Sequence, residues 1–254
     1  MSYLSQIQNT EQSWSESKAQ LLAVGIFQNQ ELTPLGQTID EHLAGVISKA
    51  VRLDDLTGKP GESRTFYDDD RIILVMGLGK KEDLDSEAIR KAGGSIAKTA
   101  LSMKVTSLAV ECLCTCSEKL DCQALAEGLV LGSYRFNSHR TGGEDGPDLE
   151  DVTVWGGDET KVSKGASIAN GVCLARDLGN HPANVATPTR LAEEAQRIGA
   201  KGDMNITIFD RQEIVEQGMG ALAAVAQGSD EPPKFITLEY RGGPENQKPI
   251  ALVG

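Results

Sequence analysis

Four cysteines lie close together in the segment ECLCTCSEKLDC, where their thiolates could hold a metal ion. Cys112, Cys114 and Cys116 alternate along a predicted strand and therefore point to one face, with Cys122 shortly after them. Structural zinc sites favour C-x-x-C pairs, however, and the sequence has neither such a pair nor a matching set of histidines. Because cysteine is among the most frequently buried residue types, we predict core packing for these thiols. Redox reactivity and metal binding stay open as alternatives.

Histidines and acidic residues show no spacing typical of a catalytic site. His42, His139 and His181 are scattered along the chain, lie in no H-E-x-x-H motif, and support no Ser-His-Asp triad. The run Asp68–Asp70 lacks metal-loop spacing and is interpreted as a solvated turn. We therefore predict structural or solvent-facing roles for these residues. No catalytic, cofactor-binding or metal-binding residue is assigned within the 254 residues.

Two glycine-rich segments could approach a phosphate group. MGLGKKED at 76–83 follows the clearest buried strand of the sequence, and GKPGES at 58–63 precedes that strand. Neither contains the pattern G-x-x-x-x-G-K-[ST] of a phosphate-binding loop. We interpret both segments as tight turns, and a ligand at the strand end is the alternative.

The elements that would position these residues alternate between strand and helix patterns, which predicts a parallel α/β architecture. Apolar runs predict strands at 20–27, 71–79, 106–114, 151–157, 205–209, 221–229, 235–240 and 249–254. Helical spacing predicts helices at 33–50, 85–104, 122–136 and 161–180, then one opened by Thr187 and Pro188, and one at 213–219. The pattern places Val46, Ile168, Val172 and Cys173 on buried helix faces.

The composition limits the partners and the cellular setting. Hydrophobic residues make up 39% of the chain and charged residues 24%, as in globular proteins. A net charge of −12 disfavours binding to nucleic acid, and no stretch approaches the roughly 20 apolar residues of a membrane span. The five cysteines are an odd number, and no export signal is visible, so we expect a reducing, cytoplasmic setting.

The element pattern predicts two parts joined by a helix. The first is an N-terminal domain at 1–158, whose residues 1–19 form a polar, loosely docked tail. A linker helix follows at 159–180. Residues 181–254 look like the opening of a larger domain, because a domain that small buries too little surface for comfortable independent stability.

The segment RDLGNHPAN at 176–184 resembles the pattern R-D-L-x-N-x-P-x-N of the cytosol aminopeptidase, or leucyl aminopeptidase, family. Further stretches are similar to the family along the chain, namely GKPGES, RIILVMGLGK, EGLVLGSYRF, AVAQGSDEPPKFITLEYRG and KPIALVG. Each motif alone is weak, but jointly they are specific. The resemblance covers roughly residues 20 to 254.

The resemblance implies an α/β fold with a macro-like N-terminal domain, a linker helix and the incomplete start of an α/β catalytic domain. It implies release of N-terminal residues, with a leucine-like preference, from peptide substrates. In the family two divalent ions, Mn or Zn, lower the pKa of a bridging water, and the subunits form a homo-hexamer. The family's metal ligands would follow Gly254, so we expect this chain alone to bind no such metal and to be inactive. The alternatives are a macro-like nucleotide-binding module and a non-catalytic scaffold.

Overall fold

The computed structural model describes residues 4, 6–113, 122–142, 146–244 and 247–254. The chain divides into two units, Met1–Asp177 and Leu178–Gly254. Each unit has its own sheet. The two are therefore described one after the other.

The first unit is built on a six-stranded sheet in the order β1-β6-β5-β2-β4-β3. Its strands are β1 (Gln8–Thr10), β2 (Leu21–Ile26), β3 (Ser63–Asp68), β4 (Arg71–Gly77), β5 (Ser107–Glu111) and β6 (Asp151–Trp155). All neighbouring pairs are parallel except β3 with β4. Every residue of the central strand β2 is buried, which explains its unbroken apolar sequence LLAVGI.

Helices cover both faces of this sheet. They are α1 (Pro34–His42), α2 (Val46–Arg52), α3 (Ser86–Ser102), α4 (Cys122–Ser133) and α5 (Glu159–Asn180). The apolar faces of α3, α4 and α5 join one core cluster, and those of α1 and α2 join a second cluster on the opposite face. The sheet therefore presents its strand ends, rather than its faces, to ligands.

Two glycines let α3 and α4 approach closely. A Cβ atom at Gly128 would lie 2.1 Å from the backbone oxygen of Arg90, and one at Gly132 would lie 2.5 Å from the backbone oxygen of Gly94. These positions accept no larger side chain without moving a helix backbone.

Three predictions for the first unit are wrong in detail. The helix predicted at 33–50 is broken into α1 and α2, because Ala44 and Gly45 adopt left-handed backbone angles, and Val46 is exposed. Strand β3 was not predicted, because its sequence SRTFYD is largely polar and has no continuous apolar run. Such a composition is typical of a strand at the edge of a sheet. On α5 Cys173 is buried as predicted, but Ile168 and Val172 are exposed.

The polar tail predicted at 1–19 is also more structured than expected. Residues Gln8–Thr10 pair with β6 as the edge strand β1, and Leu4 and Ile7 are buried in the core. Two apolar side chains in a polar segment are enough to anchor it, because each gains free energy on burial.

The second unit has a two-stranded sheet. It contains α6 (Pro188–Gly202), β7 (Asn205–Phe209), α7 (Arg211–Glu216), α8 (Gly220–Ala226) and β8 (Phe235–Glu239). Strands β7 and β8 are antiparallel, not parallel as predicted. Helix α6 packs on β7 at Gly199, where a Cβ atom would lie 2.1 Å from the Cδ1 atom of Ile206.

Two of the strands predicted in the second unit are absent from the described residues. The segment predicted at 221–229 lies largely in α8, since its run of alanines favours a helix. The segment predicted at 249–254 forms no strand here, and Ile250, Leu252 and Val253 are 91, 95 and 96% exposed. Hydrophobicity alone does not create a strand without a neighbouring strand to pair with.

Candidate functional site

The carboxyl edge of the parallel strands is the place where α/β proteins commonly bind ligands. In the first unit β2 ends there at Ile26, β4 at Gly77 and β5 at Glu111. Helix α1 begins beside this edge, with Thr33 as its N-terminal capping residue. The candidate site is therefore the space around Thr33, Glu111 and the glycine-rich turns.

Glu111 fills the centre of this edge. Its side chain is buried, with the residue 4% exposed. Its Oε1 atom accepts a hydrogen bond of 2.9 Å from the backbone N–H of Leu35, and a hydrogen bond links its Oε2 atom to the hydroxyl of Thr33. The N-terminus of a helix commonly binds an anionic ligand. At the start of α1, the carboxyl group of Glu111 occupies this position.

Thr33 connects this carboxyl group to β2. The Thr33 hydroxyl donates to the backbone oxygen of Gly25 at 3.0 Å and accepts from the backbone N–H of Gly25 at 3.1 Å. Burial raises the pKa of Glu111, against the opposing effect of the hydrogen bonds from Thr33, Leu35 and Gly25. The sequence contains one signal for this role, because Glu111 is an acidic residue at the end of an apolar strand. Glu111 was not among the residues predicted to have a functional role.

The glycine-rich turns pack against each other. A Cβ atom at Gly77 would lie 2.1 Å from the backbone oxygen of Lys59, and the Gly79 N–H donates to the backbone oxygen of Gly58 at 2.9 Å. These glycines serve close backbone contact. The structure confirms the interpretation of both segments as turns.

Glu62 holds the first of these turns. Its Oε2 atom accepts hydrogen bonds from the hydroxyl of Thr57 at 2.8 Å and from the backbone N–H groups of Thr57 at 3.0 Å and Lys59 at 3.2 Å. Burial raises the pKa of Glu62, but the hydrogen bonds from Thr57, Lys59 and Gly58 together outweigh it and lower that pKa. This carboxylate is therefore used to stabilise the turn.

A groove of about 720 Å³ runs along α3, within the size range of small-molecule sites. Its cations include Arg90, Lys91, Lys98 and Arg176. Arg90 is neutralised by ion pairs with Glu127 and Glu87. The groove combines these charges with glycine backbone.

Two segments quoted for the family resemblance meet at Tyr134. The Tyr134 hydroxyl donates to Asp177 Oδ1 at 2.9 Å, and the Arg176 guanidinium lies over the Tyr134 ring, 5.4 Å from its centroid. Tyr134 belongs to EGLVLGSYRF, and Arg176 and Asp177 to RDLGNHPAN. These motif residues therefore attach α5 to the end of α4.

The cysteines that the structure describes lie in the core of the first unit. Cys112, Cys122 and Cys173 are buried, whereas Cys114 and Cys116 lie outside the described residues. Burial raises the pKa of Cys173 to about 11. This thiol is therefore protonated at neutral pH and is a poor nucleophile.

Two of the histidines contact aromatic rings of the first unit. His42 bonds Asp68 at 3.2 Å and contacts the Trp14 ring edge to face. Asp68 is buried and also accepts from Arg71 at 2.8 Å, so the solvated turn predicted at Asp68–Asp70 is wrong for its first residue. His139 packs against the Phe136 ring, and His181 follows α5.

Within the described ranges, no group of three or more His, Cys, Asp or Glu side chains could hold a metal ion. The residues that the structure describes do not fit a two-metal centre. In the same part of the chain, no helix is long and apolar enough to cross a bilayer.

Both units match one protein family. Residues 23–142 match the N-terminal domain of the cytosol aminopeptidase family, and residues 173–254 match the catalytic domain of that family. The chain belongs to the cytosol aminopeptidase family. This confirms the resemblance found in the sequence motifs.

Relatives of this chain agree with it in sequence and fold. A probable cytosol aminopeptidase of Alkalilimnicola ehrlichii is 35% identical over 258 residues, covering 91% of this chain and 50% of the relative. A tomato leucine aminopeptidase mutant has a TM-score of 0.77 at 29% identity, covering 94% of this chain and 51% of that one. The bottromycin maturation enzyme BotP in complex with Mn shares the fold, with a TM-score of 0.72 at 24% identity over 88% of this chain and 45% of that one. The chain spans about half the length of the curated relatives it matches.

Proposed function

We propose that these 254 residues form the N-terminal part of a metal-dependent aminopeptidase that releases N-terminal residues, with a leucine-like preference, from peptides. The observation that carries the proposal is the match to the N-terminal and catalytic domains of one aminopeptidase family, in that order along the chain. The described residues bring together no catalytic constellation of their own. The family match, not a site in this chain, therefore supports the activity.

The proposed enzyme uses two divalent ions, Mn or Zn, held by residues outside this chain. The fold relative BotP has been solved with Mn, which supports divalent-metal chemistry in this fold. Among the described residues no group of side chains could hold a metal ion. The family resemblance implies metal ligands after Gly254. We propose accordingly that the 254 residues alone bind no catalytic metal and are inactive. A homo-hexameric assembly and a cytoplasmic location belong to the same proposal.

The exposed apolar side chains of the second unit are consistent with a domain that further polypeptide completes. Val215, Val225 and Leu238 are exposed on α7, α8 and β8, and the segment 250–253 is exposed as well. Soluble proteins rarely leave so many large apolar side chains uncovered without a partner for them. The macro-like nucleotide-binding and scaffold alternatives stay predictions, and no contact among the described residues favours either.

Complementation tests this proposal. The 254 residues are co-expressed with the second half of the Alkalilimnicola ehrlichii relative, and release of p-nitroaniline from leucine p-nitroanilide is followed with Mn²⁺. We expect metal-dependent release from the pair and none from either half alone. The matched control is the relative's own first half paired with the same second half. If that control pair is active while this chain supports no activity, the proposed function is wrong.

A further inference from the structure

The start of α1 is held on the sheet by the buried carboxyl group of Glu111. Glu111 comes from β5, Thr33 and Leu35 from the beginning of α1, and Gly25 from β2. The Thr33 side chain accepts no hydrogen bond from its own helix. Glu111 instead takes the place of a cap, by accepting from the Leu35 N–H at 2.9 Å.

The protonation state of Glu111 determines whether all three contacts of the Thr33 hydroxyl are hydrogen bonds. The Gly25 N–H can only donate to the hydroxyl oxygen, and the Gly25 carbonyl can only accept its proton. The single hydroxyl proton is then used, and the third partner is Glu111 Oε2. A carboxylic acid donates its own proton to the remaining lone pair of the hydroxyl, so that every contact is satisfied. A carboxylate instead competes with the Gly25 carbonyl for one proton. The carbonyl then keeps only its hydrogen bond of 3.0 Å from the Thr33 N–H, and one contact of the hydroxyl is no longer a hydrogen bond.

Burial and the helix end act on Glu111 in opposite directions. The N–H of Leu35 and the positive end of α1 favour the carboxylate. Burial favours the neutral acid, and it is the largest influence on the pKa of Glu111, which is raised. A buried charge is costly even where it accepts hydrogen bonds from Leu35 and Thr33, whereas the acid form is neutral and adds one hydrogen bond.

Charged groups on the neighbouring elements are engaged elsewhere or stand at the far ends. On α1, Asp40 accepts from the Ile47 N–H and His42 bonds Asp68. Strand β2 has no titratable side chain. Glu111 lies opposite Trp155 of β6, and the acidic residue of that strand, Asp151, stands at its other end. Among the described residues, the titratable groups on the elements around Glu111 are Asp40, Glu41, His42, Asp151 and the neighbouring thiol of Cys112.

We propose that Glu111 is a neutral carboxylic acid in the folded protein and serves as an internal ligand that latches the start of α1 onto the carboxyl edge of the sheet. The latch occupies the position where this fold would otherwise offer an anion site. Losing the proton removes one hydrogen bond and leaves a buried charge, so α1 loosens as pH rises.

A titration of the intact chain tests the proposal without a variant. Glutamate side chains are labelled with ¹³C at the carboxyl carbon and followed by NMR between pH 3 and 9. We expect one signal to titrate well above the ordinary midpoint of ~4.3. The backbone N–H signals of Gly25 and Leu35 should shift with the same midpoint. If every glutamate titrates at or below the ordinary value, or if these two N–H signals do not follow a raised midpoint, the proposal is overturned.

The variants Glu111→Gln and Glu62→Gln form a matched pair. Their stabilities relative to the wild-type protein should change with pH in opposite directions. The amide that Glu111→Gln introduces would keep the acid-form hydrogen bonds. Because the folded pKa of Glu111 is raised, its contribution to stability is complete below the ordinary glutamate pKa and is lost as pH rises through the folded pKa. The wild-type protein should therefore lose stability relative to Glu111→Gln as pH rises from 4 to 8.

The folded pKa of Glu62 is lowered, so the greater stability of the wild-type protein over Glu62→Gln is present above the ordinary glutamate pKa and disappears as pH falls. The latch would be contradicted if the stability difference between wild type and Glu111→Gln did not depend on pH. It would also be contradicted if that difference changed with pH in the same direction as the difference between wild type and Glu62→Gln.

Discussion

Single residues of the first unit use their chemistry to hold the backbone in place. Glu62 ties a turn together, and Glu111 and Thr33 close the edge of the sheet. The sequence predicted the turns correctly, because glycine and proline mark them directly. It did not predict the role of Glu111, because its hydrogen-bond partners Leu35 and Thr33 lie 76 and 78 residues away in the sequence and meet it only after folding.

Gly128 gives a prediction at this scale. In Gly128→Ala the new methyl group would lie 2.1 Å from the backbone oxygen of Arg90, so α3 and α4 must move apart. We expect a loss of about 1–3 kcal/mol in the free energy of unfolding, measured with urea. Gly171→Ala is the control, since nothing lies within 4 Å of its Cβ position in α5, and it should gain roughly 0.5–1 kcal/mol. Equal effects of the two substitutions would contradict the close packing of α3 on α4.

At the scale of elements, the buried strands were the most predictable. β2, β4 and β5 were predicted because strands buried on both faces have continuous apolar sequences. The edge strands β1 and β3 were missed because neither face pattern nor hydrophobicity marks them. Helix α8 was predicted as a strand because a short apolar run does not by itself distinguish the two structures.

The attachment of α5 to α4 depends on Tyr134. In Tyr134→Phe the buried carboxylate of Asp177 loses its hydrogen bond of 2.9 Å, and its other oxygen has no partner among the described residues. We expect a loss of about 1–3 kcal/mol in the free energy of unfolding, because a buried acceptor is left unsatisfied. Tyr67→Phe removes an exposed hydroxyl and should change stability little. A Tyr134→Phe protein as stable as wild type would show that this bond does not attach α5.

At the scale of the whole molecule, the two units differ in how well they cover their apolar side chains. The first unit has continuous cores on both faces of its sheet. The second leaves large apolar residues exposed, in a chain about half as long as its curated relatives. The restart of the strand-helix alternation predicts two parts. The antiparallel β7–β8 pair could not be predicted, since pairing direction leaves no periodic signal.

This difference predicts how solubility depends on the second unit. Residues 1–180 should stay monodisperse at concentrations where residues 1–254 aggregate, because exposed apolar surface promotes association. The shorter polypeptide keeps all of α5, whose Val162, Ala169 and Cys173 belong to the first core. Light scattering over a concentration series measures the effect. Equal aggregation of both polypeptides would mean that the exposed side chains of the second unit are not the cause.

We propose that this chain is part of an aminopeptidase and does not itself carry the metal centre. The most direct measurement is release of p-nitroaniline from leucine p-nitroanilide by the purified 254 residues with Mn²⁺ or Zn²⁺, against a blank with metal alone. We predict no release above the blank. Release that depends on the metal and scales with the concentration of the chain would contradict the claim, and would mean that these residues assemble a working metal site.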